Sequence, residues 1–262
     1  MKKIKVMFCC ARLLGIRCLA NSISNKNIEI VGISTTAKDK QVWWTDVKEE
    51  FSVEAFGYKD KLVDFKDISS FIKQNKPDIV FSILTDYIFK QEDIDNCRYG
   101  IINLHPAKLP DYRGCNSYAH AITNGEKKYG VTMHYVDNTI DTGSIIEVSL
   151  LDILPEDTGR TLYDKAQVLA FHLFKKQFLK IVYAALKNKK VKAQKQNDSK
   201  SRYYDRNSLK SIKQINKADL VFENEEQTVS IYDRVRALEF EPFEPSYIVD
   251  DNNKIYLKTR YR

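Results

Sequence analysis

Four short apolar runs, separated by stretches of helical periodicity, constrain this chain more than anything else in it. They are IKVMFCC (4–10), IEIVGIST (28–35), PDIVFSIL (77–84) and GIINLH (100–105). Runs this continuous and this short read as strands buried on both faces. Between them, GIRCLANSI (15–23) and DISSFIKQ (67–74) have the spacing of short helices, the second with Asp67 at a capping position. Alternation of this kind predicts an α/β fold, a mostly parallel sheet with helices on both faces. GVTMHYV (130–136) and SIIEVSLLDI (144–153) follow with no helix between them and read as a hairpin-like extension of that sheet. From Gly159 to about Lys187, Leu162, Ala166, Leu169, Leu173, Phe178, Ile181 and Ala185 recur near a 3.6-residue period, with Thr158 placed to cap the helix.

The composition then changes. KNKKVKAQKQNDSKSR (187–202) is basic and poor in apolar residues, and reads as a solvated connector or surface arm. Beyond it lie one amphipathic helix (229–238) and two short strands (246–249 and 254–258), enough for a small α+β appendage and too little for a large independent core. The expected organisation is therefore a catalytic-sized domain over residues 1–190 and a small C-terminal region over 191–262.

No stretch reaches the ~20 apolar residues of a membrane span. The apolar run of the N-terminus, broken by Lys5, is too short for a secretory leader. The five cysteines form no CxxC pair, which argues for reduced thiols and a cytoplasmic protein, with Cys9 and Cys10 as small core residues. A formal charge of +7 admits an anionic partner without saying which.

In an open parallel sheet, ligands bind outside the carboxyl ends of the strands. IINLHPAKLPDYRGCNSY (101–118) puts Asn103 and His105 there, two residues and about 6–7 Å apart on one side of a strand. Pro106 and Pro110 then end regular structure. Asp141 lies in a turn-rich loop between two later strands. Each residue also has a structural reading: Asp141 can cap the turn before Gly143, Asn103 can pair with backbone, and a lone strand-end histidine can simply be hydrogen-bonded. His120, His134 and His172 sit in helix- or strand-like segments and take the structural reading.

PDIVFSILTDYIF (77–89), GIINLHPAKLPDYRGCNSYAHAITNGEKKYGVTMHYVDNTIDTGSII (100–146) and TLYDKA (161–166) resemble the core of the folate-dependent formyltransferases. The ordered N-x-H-P-x-x-L-P-x-x-R-G element with a downstream D-x-G carries that resemblance. It implies a Rossmann-like formyltransferase fold, a catalytic trio of Asn103, His105 and Asp141, and N10-formyltetrahydrofolate as formyl donor, with no metal. It also implies that main-chain groups at Asp86, Tyr87, Ile88 and Phe89, and at Asp137, Asn138, Thr139 and Ile140, hold the folate. Amide and imidazole suit the chemistry: donors stabilise the oxyanion formed when an amine attacks a formyl carbon, and imidazole moves protons near neutrality.

The tail narrows the branch. YYDRNSLKSI (203–212) and IYDRVRALEFEPFEPSYI (231–248) resemble the C-terminal part of sugar N-formyltransferases, whereas the several strands of an RNA-binding barrel are missing. This implies a dTDP-linked amino-dideoxy sugar as acceptor, with 4-amino-4,6-dideoxyglucose the best fit, for a cell-surface polysaccharide such as O-antigen. It implies a homodimer too, with no nucleic-acid or membrane partner. Candidate substrate contacts are Arg12, Lys108, Tyr112, Arg113, Asn116 and Tyr118, together with Trp43 and Trp44, the only tryptophans. A methionyl-tRNA formyltransferase-like enzyme and a non-catalytic folate- or nucleotide-binding protein are the alternatives.

Overall fold

A computed structural model describes residues 3–36, 49–220 and 225–259; Trp43 and Trp44 lie outside the described residues. The chain runs β1 (Ile4–Cys10), α1 (Arg12–Ser22), β2 (Ile28–Ser34), α2 (Glu49–Ala55), α3 (Ile68–Asn75), β3 (Ile79–Ile83), α4 (Gln91–Asp95) and β4 (Ile101–His105). It continues through β5 (Arg113–Gly114), α5 (Ser117–Thr123), β6 (Lys128–Tyr135), β7 (Ile145–Asp152) and α6 (Gly159–Leu186). The tail supplies β8 (Tyr203–Tyr204), α7 (Lys210–Lys213), α8 (Glu225–Ala237), β9 (Tyr247–Asp250) and β10 (Asn253–Tyr256).

The main sheet has the order β2-β1-β3-β4-β6-β7. The four strands of the apolar runs are parallel, and β6 and β7 extend the sheet as an antiparallel hairpin, as their spacing predicts. Strand β1 lies between β2 and β3, so the chain reverses its direction of winding there, and a crevice opens beyond the carboxyl ends of β1, β3 and β4. The burial of β3 at every position is what a strand covered on both faces requires. One cover is α6, whose Phe174 and Phe178 pack on Phe81, which stacks on Phe8 with ring centroids 5.4 Å apart. Cys9 and Cys10 are fully buried on opposite sides of β1, one in each apolar cluster, and none of the five cysteines is in a disulfide.

Local signals performed unevenly. Thr158 caps α6 as its position suggests, accepting from Thr161 N at 3.2 Å. Asp67 stands at the N-cap of α3, but its side chain makes no capping hydrogen bond. Helix α1 begins at Arg12, three residues before the apolar periodicity starts, because it follows β1 after a single residue.

The connector is the larger surprise. Most of residues 187–202 are exposed, yet the segment is tied to the sheet. Gln194 exchanges two 2.8 Å backbone hydrogen bonds with Ile145 at the head of β7. Downstream, β8 pairs in parallel with β5, and the Tyr204 ring sits between His120, at 3.8 Å between centroids, and Tyr112, at 5.8 Å. Gly114 makes that pairing possible, since a Cβ there would collide with the Tyr204 carbonyl. Arg236 of α8 docks the tail on the entry to α6: its guanidinium donates to the carbonyls of Leu154 and Asp157 and pairs with Asp233 at 2.7 Å.

His120 makes this docking sensitive to pH. Burial pushes its pKa down from 6.5 to about 4. Between those values the unfolded chain takes up a proton that the folded ring refuses, so stability is full above pH 6.5 and falls as pH drops through this window. The buried Asp141 loses its own contribution only further down, below the ordinary carboxylate value of 3.8. We expect His120→Phe, which keeps the stack on Tyr204, to flatten the fall in melting temperature between pH 7 and pH 4.5 by roughly 2–4 °C. Parallel slopes for the variant and the parent would contradict this.

Candidate active site

The crevice holds a compact polar cluster built from three strands and two loops. Asn103 and His105 are the third and last residues of β4, on the face that the alternation predicts. The sheet register pairs Asn103 with His134 of β6, which brings a second imidazole to the first. Asp141, in the β6–β7 loop, then folds back over both. Its Oδ1 accepts from Asn103 Nδ2 at 3.3 Å and lies 3.6 Å from His134 Nε2. Its Oδ2 accepts from Gly114 N at 2.9 Å and lies 3.6 Å from His105 Nδ1.

The hydrogen bonds fix the tautomers. His134 Nδ1 is 2.7 Å from the Tyr135 carbonyl and must donate to it, which leaves Nε2 as an acceptor. The group facing Nε2 at 3.1 Å is therefore the Asn103 amide nitrogen, and the amide oxygen turns to the open side. His105 Nε2, 2.9 Å from the Tyr112 carbonyl, likewise donates. Its Nδ1 faces the carboxylate, so both nitrogens of a protonated His105 would meet acceptors. Burial works hardest against the ionised form of Asp141. The opposing charge of His105 and the Gly114 N–H nevertheless hold its carboxyl well below the usual carboxylate range.

The structure thus brings the expected trio together and adds His134, which strand position alone marks as structural. The signal that would have found it is the register of β4 against β6, a non-local fact. The remaining candidates divide. Arg12 stands where β1 turns into α1, with Nη1 3.3 Å from Tyr163 Oη. Tyr118 packs on Tyr163 and Phe240. The Cys115 thiol is raised first by burial, and the charges of Arg206, Asp141, Asp86 and Arg12 act on it as well. Asn116 opens α5 from a left-handed backbone (φ 58°).

Arg113, Tyr112 and Lys108 are engaged within the protein. The Arg113 guanidinium is buried against Gln196 and Asp198. The Tyr112 ring is buried and donates to Glu126 at 2.8 Å, while its carbonyl serves His105. Lys108 pairs with Asp111 at 2.6 Å.

The two loops expected to hold folate flank the cluster. In the first, Tyr87 and Phe89 turn inward, Asp86 pairs with Arg206 at 2.6 Å, and Ile88 is 70% exposed. In the second, the Asp137 carboxylate accepts from Thr139 N, Thr139 Oγ1 and Thr142 Oγ1, shaping the turn through Asn138, and Ile140 is 42% exposed. No group of three or more His, Cys, Asp or Glu side chains that could hold a metal ion occurs among the described residues. Among the same residues no helix is long and apolar enough to cross a membrane.

This geometry can be set beside known proteins. A family model described as formyl transferase matches residues 8–177, most of the chain. The chain belongs to the formyl transferase family. It is 29% identical over 179 residues to a bifunctional polymyxin resistance protein ArnA of Wigglesworthia glossinidia brevipalpis, covering 67% of this chain and 26% of the relative. It is 39% identical over 94 residues to a methionyl-tRNA formyltransferase of Francisella tularensis subsp. novicida, covering 36% of this chain and 30% of the relative. The chain thus spans less than a third of either relative.

Solved structures cover nearly the whole fold. A 4-N formyltransferase from Francisella tularensis superposes with a TM-score of 0.77 at 22% identity, over 99% of this chain and 98% of that one. WlaRD, a sugar 3N-formyl transferase determined with dTDP and 5-N-formyl-THF, gives 0.75 at 24% identity, over 98% of this chain and 86% of that one. At these identities the likeness establishes a shared fold.

His134 accepts one amide hydrogen of Asn103 and thereby sets which atom Asn103 turns outward. We expect His134→Leu to lower turnover by about tenfold with the melting temperature within a few degrees of the parent. His134→Gln, whose Oε1 can replace the acceptor, should restore most of it. Equal turnover for the Leu variant and the parent would return His134 to a purely structural role.

Proposed function

We propose that this protein transfers a formyl group from N10-formyltetrahydrofolate to the amine of a dTDP-linked amino-dideoxy sugar, dTDP-4-amino-4,6-dideoxyglucose being the best candidate, for a cell-surface polysaccharide such as O-antigen. The single observation that carries the transfer is the Asn103–His105–Asp141 cluster in a crevice of the formyl transferase fold. The acceptor amine attacks the formyl carbon, a C–N bond forms, and the bond from that carbon to N10 breaks. One proton passes from the amine to N10, giving a formamide and tetrahydrofolate.

The chain's residues suit these steps. The outward amide oxygen of Asn103 can accept from the incoming amine and hold its lone pair on line. His105 Nδ1 is 3.6 Å from Asp141, too far for its proton to be committed to the carboxylate. A protonated His105 can therefore share that proton with the developing oxyanion, in a contact that tightens only in the reacting complex. Asp141 places its carboxylate opposite His105 Nδ1. No covalent enzyme intermediate is required, and burial raises the pKa of the neighbouring Cys115, away from nucleophile duty.

Two exposed apolar side chains, Ile88 and Ile140, fit the donor, since each loop leaves a greasy residue where a pterin or aminobenzoyl face can cover it. For the acceptor, the rim gathers Tyr118, Tyr163, Phe240 and Phe243 beside Arg12, with Arg160 over the Phe240 ring at 5.5 Å. Rings next to guanidinium groups suit a base followed by a diphosphate. Part of that rim comes from the tail, which supports the sugar-nucleotide branch. Apolar exposure at Val249, Ile255 and Tyr256 of the β9–β10 hairpin supports a homodimer through the tail, and the five cysteines, none in a disulfide, support a cytoplasmic site of action.

The test is an assay of N10-formyltetrahydrofolate with a panel of dTDP- and GDP-linked amino sugars and initiator methionyl-tRNA. We expect the mass of one amino sugar to rise by one formyl group, while transfer to the tRNA alone would overturn the sugar assignment. His105→Ala and Asn103→Ala should each lower turnover by about 100- to 1000-fold without loss of folding. Ile88→Asp should raise the KM for the folate by about tenfold and leave the KM for the sugar unchanged. A KM for folate equal to the parent's would place the donor elsewhere.

A further inference from the structure

Among the clusters outside the trio, one joins the supposed connector to the catalytic loop. The Gln196 side chain donates through Nε2 to two main-chain carbonyls, those of Asp141 and Gly143, at 2.8 Å each. Its Oε1 accepts both Nε and Nη2 of Arg113, at 3.1 and 2.8 Å. Arg113 is bonded in sequence to Gly114, whose N–H holds the Asp141 carboxylate. A closed ring results: Gln196 grips the main chain of Asp141, Arg113 grips Gln196, and the next residue grips the Asp141 side chain.

The loop needs such a grip. Asp141 has φ 56°, in the left-handed region, where a non-glycine residue is strained and persists only if its surroundings over-determine it. Gly143 leaves no space for a side chain against the Tyr135 carbonyl, so the turn cannot relax in that direction. The β6–β7 loop has no strand partner of its own between residues 137 and 143, and Gln196 is the side chain that satisfies its carbonyls from outside the loop. The same Nη2 of Arg113 also donates to Asp198 Oδ1 at 2.6 Å.

We propose that Gln196 is a positioning residue for formyl transfer: through two loop carbonyls and the Arg113 fork it holds Asp141 at the distance and angle from which its carboxylate orients His105. This rests on the catalytic reading of Asp141. The segment 187–202 is then part of the catalytic apparatus, and Arg113 acts by anchoring Gln196 rather than by meeting the substrate's phosphates.

Two variants separate this role from simple packing. Gln196→Leu keeps the side-chain volume and removes all four hydrogen bonds. Gln196→Glu keeps an acceptor for Arg113 but sets oxygen against the two carbonyls, so a residue needed only to anchor Arg113 would tolerate it. With the amino sugar that scores in the panel assay, we expect both variants to lose about 10- to 100-fold in kcat. Both KM values should stay within threefold and the melting temperature within a few degrees. A second reading needs no acceptor: in long-range 1H–15N spectra of the full chain, the His105 ring nitrogens should shift in Gln196→Leu while those of the distant, exposed His172 stay in place. Parental kcat in either variant, a loss confined to KM, or an unmoved His105 ring would each overturn the proposal. Asp141→Asn distinguishes the underlying reading: parental kcat there removes Asp141 from catalysis, whereas an inactive Asp141→Asn beside a fully active Gln196→Leu removes only the role of Gln196.

Discussion

A carboxylate buried beneath two loops is the constraint on which the rest of this structure depends. The Asp141 side chain is 11% exposed, and desolvation alone would drive it to the neutral form. It stays ionised because partners converge from β4 and β5, the Asn103 amide, the Gly114 N–H and the His105 imidazole, while His134 of β6 seats the Asn103 amide. Stranding one partner of such a set costs several kcal/mol, of order 3–5. The register of β4 on β6, the bend that follows His105 and the fold-back of the β6–β7 loop are therefore coupled. None can slip by a residue without leaving a charge unpaired.

That coupling gives the tail a purpose beyond packing. Strand β5 is two residues long and would not persist alone, yet it carries both the N–H that holds Asp141 and the arginine that holds Gln196. It is ordered by β8, which is ordered in turn by the Tyr204 ring between His120 and Tyr112. The same Tyr112 offers its carbonyl to His105. One aromatic stack thus links the docking of the C-terminal segment to the tautomer of the central histidine.

The sequence is legible where the physics is local. Apolar runs of four to eight residues yield the parallel strands, since burial on both faces leaves no room for polar alternation, and the 3.6-residue period yields α6 to within a residue. The trio is legible because Asn103, His105 and Asp141 lie in a motif whose order is itself informative. What the sequence hides is set by pairing across the fold. His134 looks like any residue of an alternating strand until the antiparallel register puts it opposite Asn103. Gln196 looks like solvated filler among lysines, because its three partner residues lie 53 to 83 residues away along the chain. Arg113, beside the motif and positively charged, reads as a phosphate contact, and only the three-dimensional partner set shows the guanidinium occupied.

Backbone strain completes the picture. Arg12, Leu84, Asn116 and Asp141 all have φ between 54° and 61°, and each lies at a point where the chain leaves an element facing the crevice. For residues with a Cβ this conformation costs of order 1 kcal/mol or more each, sustained only by surrounding contacts. Arg12 opens α1 just past β1, Leu84 follows β3, Asn116 precedes α5 and Asp141 tops the β6–β7 hairpin. The same conformation also occurs away from the crevice, at Lys76 before β3, at Asn188 after α6, and at Asp251 and Asn252 in the β9–β10 turn, where no catalytic candidate lies. A fold selected for stability alone would relax such turns with glycine, as it does at Gly57 and Gly125, where a Cβ would meet nothing. At Asp141 a glycine would lose the carboxylate that accepts from Asn103 and Gly114, and Gln196 of the docked segment holds the Asp141 carbonyl in place.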